Sequence, residues 1–464
     1  MFFFTRLNWR IPEGARKKHT YIVAGSGSGK SELLKVLILS YLKKSKRAES
    51  VFLLDPHGDI AQQVAMFKEH SNPETLIYLS PDLKQGFTPC INPLEMGEGR
   101  QDPRKVSYMA ECLTEVFKEI VGAEASITAN METLLKAVLS VLLTRDGSTL
   151  KDLQTFMRDT ENAELVEYAQ QNSTEGQRHF FSNAFYDTNY TATKRALYTK
   201  LQSLFNSQTF YNLTIGKSTV DLREAMDSKK TVVFNLSKGL IGQQTSPAFG
   251  RFIVGMIQGF SFERQSIPEP QRIPVYMFLD EFQNFITPSI ETLLAESRKY
   301  AVHLTLAQQF FGQGTDNALK GAILNNTAVK IAGTGEGASL EAIQKFMTGA
   351  TKEALQNLDT GHFLIKVKSS GILSRVLNEN QAQHFRVSTS YLGNRNAMNR
   401  RQWAKVKAYQ LTNYYRATTD RTESPESDFL TVDNTNYQEV EKTAQNAKYE
   451  ACSPHRAVKP KFSL

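Results

Sequence analysis

An α/β fold built on a mostly parallel sheet is predicted by three features of the sequence. The run Ala24-Gly25-Ser26-Gly27-Ser28-Gly29-Lys30-Ser31 joins an apolar stretch, Tyr21-Ile22-Val23, to an amphipathic one at residues 32–39. A second apolar run, Val275-Tyr276-Met277-Phe278-Leu279, ends in two acids, Asp280 and Glu281. Around both, short β-branched runs alternate with segments of helical period, the pattern of strands covered by helices on their faces.

The first feature reads as strand, glycine-rich loop, Gly-Lys-Ser and helix, the Walker A arrangement of a P-loop nucleotidase. The loop from Gly25 through Gly29 lets backbone N–H groups point inward, and the helix N-terminus adds partial positive charge, so together they cradle phosphates. Lys30 reaches the β- and γ-phosphates, Ser31 offers a hydroxyl to Mg²⁺, and Glu32 follows in the first helical turn. Ala24 stands where the strict pattern has glycine. The second feature reads as Walker B. Asp280 holds Mg²⁺, because a hard cation prefers carboxylate oxygen, and Glu281 polarises the attacking water as general base. ATP and Mg²⁺ are therefore the expected ligands.

Further elements follow in chain order. Val51-Phe52-Leu53-Leu54-Asp55 is a strand closed by the turn Pro56-His57-Gly58-Asp59, with a helix expected around 60–67 and a strand at Leu76-Ile77-Tyr78-Leu79. Asp55 and Asp59 read as caps of the turn or of the next helix rather than metal ligands, and His57 and His19 as structural residues. From 101 to 215 the apolar spacing turns helical (Met109, Leu113, Val116, Phe117, Ile120) and alternation vanishes. The polar stretch 172–177 is expected to be a loop. Strands resume at 231–236, 275–279, 302–307 and 328–332, with a peripheral strand at 363–367. The expected domains are an ATPase core of 1–100 and 216–390, an inserted all-helical subdomain at 101–215, and a basic, polar extension at 391–464.

Composition narrows the class. The 464 residues are 41% hydrophobic and 22% charged, as in soluble globular proteins. No apolar run approaches the ~20 residues of a membrane helix, and Met1-Phe2-Phe3-Phe4 is too short for a signal sequence. Cys90, Cys112 and Cys452 are odd in number and widely spaced, so neither disulfides nor a metal site is expected. The cytoplasm is the expected compartment. A net charge of +8 suits a polyanionic partner but equally a basic enzyme.

With these residues in view, the chain resembles the HerA/FtsK superfamily of ring-shaped DNA-pumping ATPases. It is most similar to the soluble motor domains of type IV secretion coupling proteins and their HerA-like relatives. The resemblance lies in the Walker A run, Leu54-Asp55-Pro56-His57-Gly58-Asp59, Ile91-Asn92-Pro93-Leu94, and Asn235-Leu236-Ser237-Lys238-Gly239. Its longest part runs from Leu279-Asp280-Glu281-Phe282-Gln283-Asn284-Phe285 through Glu296-Ser297-Arg298-Lys299-Tyr300 to Leu306-Ala307-Gln308-Gln309. The chain departs from coupling proteins in lacking an N-terminal membrane anchor, and from HerA in lacking room for a β-barrel.

This resemblance implies a RecA-like core in which a strand between those of Walker A and Walker B ends in a polar γ-phosphate sensor. Gln309 takes that place, preferred over Gln308. It also implies an arginine finger supplied from the next subunit of a homo-hexamer, for which Arg298 fits and Arg251 is the alternative. DNA is the implied partner, single- or double-stranded, with a relaxase, nuclease or secretion channel beside it and recruitment to the inner membrane through such a partner.

Residues 391–418 interleave Arg395, Arg400, Arg401, Lys405, Lys407 and Arg416 with Trp403, Tyr409, Tyr414 and Tyr415, uninterrupted by acids. Cations for phosphates and rings for stacking would suit DNA, and a solvated amphipathic helix has the same pattern. The sequence thus reads as an ATP-driven DNA translocase of conjugation. A nucleotide-switched docking ATPase, a viral packaging motor and a defence-system motor are the alternatives.

Overall fold

Short β-branched and aliphatic runs become strands where flanking helices can cover both faces. In the computed structural model, which describes residue 11 and residues 13–418 except 44–47, 123–124, 312–315, 336–337, 348, 369–381 and 388–395, eleven strands are present. They are β1 (Thr20–Val23), β2 (Ser50–Asp55), β3 (Leu76–Leu79), β4 (Phe87–Thr88), β5 (Thr231–Asn235) and β6 (Val275–Leu279). β7 (Val302–Gln308), β8 (Val329–Ala332), β9 (His362–Val367), β10 (Gln383–Arg386) and β11 (Arg416–Ala417) complete the set. Nine form one sheet of order β10-β9-β8-β1-β7-β6-β2-β5-β3, and β11 pairs with β4. From β8 to β3 every pairing is parallel, whereas β9 and β10 are antiparallel. The strands β1, β2, β5, β6 and β7 are buried along their whole length. This is why they read as continuous apolar runs.

Register decides which loops meet. Val23 lies beside Gln308, Leu306 beside Leu279, and Leu279 beside Leu54. The C-terminal ends of β1, β7, β6 and β2 therefore share one edge, where open α/β sheets bind ligands. The predicted strand between the two Walker strands is β7.

Between β4 and β5 the described chain is helical, and its longest helices are Pro103–Val121, Ala125–Thr144 and Thr191–Phe205. Pro103–Val121 packs on Ala125–Thr144 and on Thr245–Glu263 through Met109, Leu113, Val116 and Phe117. The stretch expected to be a loop at 172–177 is shorter than that. A helix spans Glu175–Asn183, opened by a capping box in which Gln177 Oε1 accepts from the Thr174 N–H at 3.2 Å. The Thr-x-x-Gln spacing is the signature of that start, and the polar composition concealed it. The strand β10 was not expected either, because Gln383-His384-Phe385-Arg386 offers one buried position between polar neighbours.

The helix Arg400–Tyr414 covers the outer edge of β3. Gln410, fully buried, accepts from the Tyr78 N–H at 2.8 Å and donates to the Leu76 carbonyl at 2.9 Å. The Tyr415 hydroxyl donates to the Tyr78 carbonyl at 2.8 Å and accepts from the Ser80 N–H at 2.9 Å. Two side chains thus do for an edge strand what a neighbouring strand would do. Trp403 stacks obliquely on Tyr78, with ring centroids 6.1 Å apart. Among the described residues no helix is long and apolar enough to cross a membrane.

At the N-terminal ends of the central strands β1 and β7, His19 and His303 are buried, and His19 Nδ1 accepts from the Leu304 N–H at 2.8 Å. Burial, reinforced by their mutual repulsion and by Arg298, lowers His19 to about 3. Burial together with Lys17, Arg264 and Arg298 lowers His303 to about 4. Both are neutral in the fold and gain protons on unfolding below the ordinary value of 6.5, so stability is complete above that pH and falls as pH drops. Thermal melts should be level from pH 7 to 8 and decline between about 6.5 and 4. His303→Gln should flatten that decline. An unchanged slope in the variant would assign the acid sensitivity elsewhere.

Candidate functional site

The loop after β1 is anchored from both sides. The Ala24 N–H donates to the Gln308 carbonyl at 3.2 Å, and Gly25 N–H to the Thr334 carbonyl at 2.7 Å. Thr360 Oγ1 donates to the Gly27 carbonyl at 3.1 Å, and Gly361 N–H to the Ser28 carbonyl at 2.8 Å. Gly29 has φ 91°, and a Cβ there would lie 3.2 Å from the Gly361 backbone, so both conformation and space demand glycine. The helix Lys30–Leu42 starts immediately after, with its free N–H groups turned towards the loop.

A cavity of about 360 Å³ opens there. Gly25, Ser26, Gly27, Gly29, Lys30, Ser31 and Glu32 line one wall, and Asp280, Glu281 and Gln309 the other. Ser28 is set apart from the rest of the loop. It is buried, its N–H donates to the Gly25 carbonyl, and it does not line the cavity. Glu32 reaches the mouth, where its carboxylate is held by Lys35.

Three charged groups meet in the interior. Lys30 Nζ donates to Asp280 Oδ1 at 2.6 Å and to Glu281 Oε1, and all three side chains are buried. Burial raises the Asp280 carboxyl above its ordinary value against the pull of Lys30. Burial also pushes Glu281 upward, but Lys30 and hydrogen bonds from Lys30, Gln283 and Gln309 outweigh it, leaving that carboxyl below its ordinary value. Gln283 Nε2 donates to Glu281 Oε2 at 2.7 Å. Glu281 itself has φ 44°, a left-handed backbone that costs a glutamate about 1–3 kcal/mol. That strain sits at the residue whose carboxylate faces the cavity.

The donor chemistry fits a nucleoside triphosphate with Mg²⁺. Loop N–H groups, a helix start and an ammonium suit phosphates, while the Ser31 hydroxyl and Asp280 are hard oxygen donors. Among the described residues no group of three or more His, Cys, Asp and Glu is arranged to hold a metal. A Mg²⁺ here would complete its shell from phosphate oxygens and water, the usual arrangement for this ion.

Gln309 lies in the cavity and hydrogen-bonds Glu281, whereas Gln308 is buried against the Tyr21 hydroxyl. Arg298 is exposed in the turn Ser297–Tyr300 before β7, at the edge of the sheet away from its own cavity. Arg251 is half-buried, and its Nε donates to the Ile286 carbonyl at 3.3 Å. No arginine is among the described lining residues.

Sequence reasoning missed four lining residues, His57, Asp59, Ile60 and Thr360. His57 and Asp59, read from the sequence as structural residues of the turn, also line the cavity, and Asp59 opens the helix Asp59–Ala65. Asp55 does cap the turn, accepting from His57 N–H and Ala61 N–H at 2.9 Å each. The signal was that this turn closes a strand, but that strand's place beside β6 could not be read. Nothing in the sequence flagged Thr360.

On the helix Arg400–Tyr414, Arg400, Arg401 and Lys405 are exposed, while Trp403 and Lys407 are half-buried. Arg395 lies outside the described residues. The aromatics largely serve packing: Trp403 lies on Tyr78, Tyr415 is buried, and the Tyr414 hydroxyl accepts from Lys230 Nζ at 3.1 Å.

A family model for conjugative DNA transfer of the type IV secretory system matches residues 4–336. None of the curated protein sequences matches the chain. The fold is similar to that of the unbound bacterial conjugative coupling protein TrwBΔN70, at TM-score 0.57 and 13% identity over 82% of this chain and 86% of that one. It is similar to plasmid coupling protein TrwB in complex with ADP and Mg²⁺, at TM-score 0.58 and 13% identity over 84% and 88%. VirB4 of Thermoanaerobacter pseudethanolicus aligns at TM-score 0.50 and 16% identity over 80% and 89%. At such identities the likeness is one of fold, and that fold is RecA-like.

Proposed function

From the premise that the chain belongs to the type IV secretory system conjugative DNA transfer family, we propose that it is an ATP-hydrolysing ring motor that moves DNA. The observation that carries this reading is the meeting of Lys30, Asp280, Glu281 and Gln309 in one cavity beneath a braced P-loop. In the reading, Lys30 leaves the two carboxylates for the β- and γ-phosphates when ATP enters. Its departure uncovers Glu281 as general base, with Gln309 beside it to orient the attacking water. Ser31 and Asp280 hold Mg²⁺, which neutralises phosphate charge. Arg298, exposed and remote from its own cavity, supplies a cation to the neighbouring subunit of a homo-hexamer.

Arg400, Arg401, Lys405 and Lys407 are the proposed contacts to DNA phosphates, with Arg395 and Trp403 as further members of that surface. Replacing the four cations by glutamine should weaken DNA binding across all sequences and flatten its salt dependence. Each lost phosphate contact removes about 0.7–0.9 from the slope of log K against log salt. Binding isotherms at several salt concentrations measure this, and an unchanged slope would free the helix from that role.

ATP turnover measured with and without DNA tests the motor itself. Stimulation by DNA in an assembled ring is expected. Hydrolysis indifferent to DNA would replace the motor with a nucleotide-switched docking ATPase, in which ATP governs assembly with a relaxase or channel.

A further inference from the structure

We propose that His57 reads the terminal phosphate of the bound nucleotide, a contact present with a triphosphate and absent with a diphosphate. The proposal rests on the nucleotide reading of the cavity.

The turn carrying His57 is built with more care than a surface connection needs. It leaves β2, which pairs with β6, and the Asp280 N–H donates to the Leu54 carbonyl at 3.1 Å. The turn therefore emerges beside the Walker B acids. Both oxygens of the fully buried Asp55 are committed to it, at His57 N–H and Ala61 N–H. Gly58 has φ 91°, and a Cβ there would lie 2.6 Å from Asn235 Oδ1, so the backbone is pressed against β5. Asn235 is itself fixed, donating to Ser80 Oγ at 2.9 Å and accepting from the Ser237 N–H at 3.1 Å. A rigid frame thus presents one exposed imidazole to the cavity.

Strand order completes the argument. β7, which leads to Gln309, and β2, which leads to His57, flank β6, and both residues line the same cavity as Asp280 and Glu281. The acids are bracketed by an amide on one side and an imidazole on the other. Asp59, Asp280 and Glu281 make this part of the wall acidic, so a phosphoryl group placed here gains from every N–H donor. His57 supplies such a donor where the loop N–H groups are replaced by carboxylates.

The test compares binding of a non-hydrolysable ATP analogue and of ADP, each with Mg²⁺, to the full chain and its variants. His57→Ala should weaken the analogue about tenfold, the worth of one hydrogen bond to a charged group, and leave ADP within twofold. His57→Gln, whose amide still donates, should recover most of the analogue affinity, and melting curves of both variants check the fold. Turnover by His57→Ala should fall at least in proportion. An unchanged ratio of analogue to ADP affinity in His57→Ala overturns the proposal, and so does an equal loss of both. If wild type binds the analogue yet hydrolyses no ATP, the motor reading fails while the binding ratio still decides the role of His57.

Discussion

Glu281→Gln is expected to bind ATP at least as tightly as the wild type and to hydrolyse it about 10²–10⁴-fold more slowly, the usual worth of a general base. The substitution keeps the shape and an acceptor oxygen while removing the negative charge. Lys30 then has one carboxylate fewer holding it, since its ammonium bridges Asp280 and Glu281 in the structure. The ammonium moves to the phosphates at lower cost, which is why affinity should not fall. Lys30→Ala should behave in the opposite way, losing binding because the phosphate cation is gone. It also leaves two buried acids without that partner, so its melting temperature should fall as well. Equilibrium binding and single-turnover hydrolysis separate the two outcomes. A Glu281→Gln protein that turns over within a few-fold of wild type would sink the assignment of the base.

The second large effect concerns Arg298 and needs two inactive proteins. An Arg298→Ala subunit keeps its own cavity intact and fails only as a neighbour. A Lys30→Ala subunit keeps its arginine and fails only in its own cavity. Mixed rings regenerate interfaces at which a sound cavity meets a sound arginine, and ATPase activity should return with them. A finger is worth about 10³-fold or more, so a minority of repaired interfaces stands well above background. Native mass measurements must first establish that mixed rings form. Activity that stays at the mutant level in such rings, while Arg251→Ala is rescued in the same experiment, moves the finger to Arg251. Rescue of neither variant removes support for any cation acting between subunits. The half-buried position of Arg251, already bonded to the Ile286 carbonyl, makes it the poorer candidate for reaching outward.

Much of this site was legible because its chemistry is local in the chain. Gly25 to Ser31 and Asp280-Glu281 each pack loop geometry and charge into a few consecutive residues, so the reading needs no knowledge of the fold. Gln309 was within reach because it follows a strand whose place beside the Walker strands the family pattern supplies. His57 was not, since its relevance depends on β2 lying next to β6, a pairing between residues more than two hundred positions apart. Thr360 is hidden for the same reason, reaching the loop from the turn before β9. Trp403, Tyr414 and Tyr415 show what composition leaves open. Their aromatic and basic neighbourhood has the composition of a nucleic-acid surface, yet the rings are largely turned to packing, and composition does not record which face of a helix looks inward.

The covering of β3 bears on how shortened forms of this protein would behave. Gln410 and Tyr415 lie outside the compositional boundary at 390, so a truncation placed there by sequence would remove both. Tyr78 N–H, Leu76 C=O and Ser80 N–H would then face water at the rim of a nine-stranded sheet, ready to pair with the same rim of another copy. Such a protein would self-associate through strand addition, and its particles would mimic ring assembly in a sizing experiment. Large particles from a form ending before residue 415 therefore say nothing about a motor's quaternary state, whereas a form that retains residues through 418 keeps that rim closed.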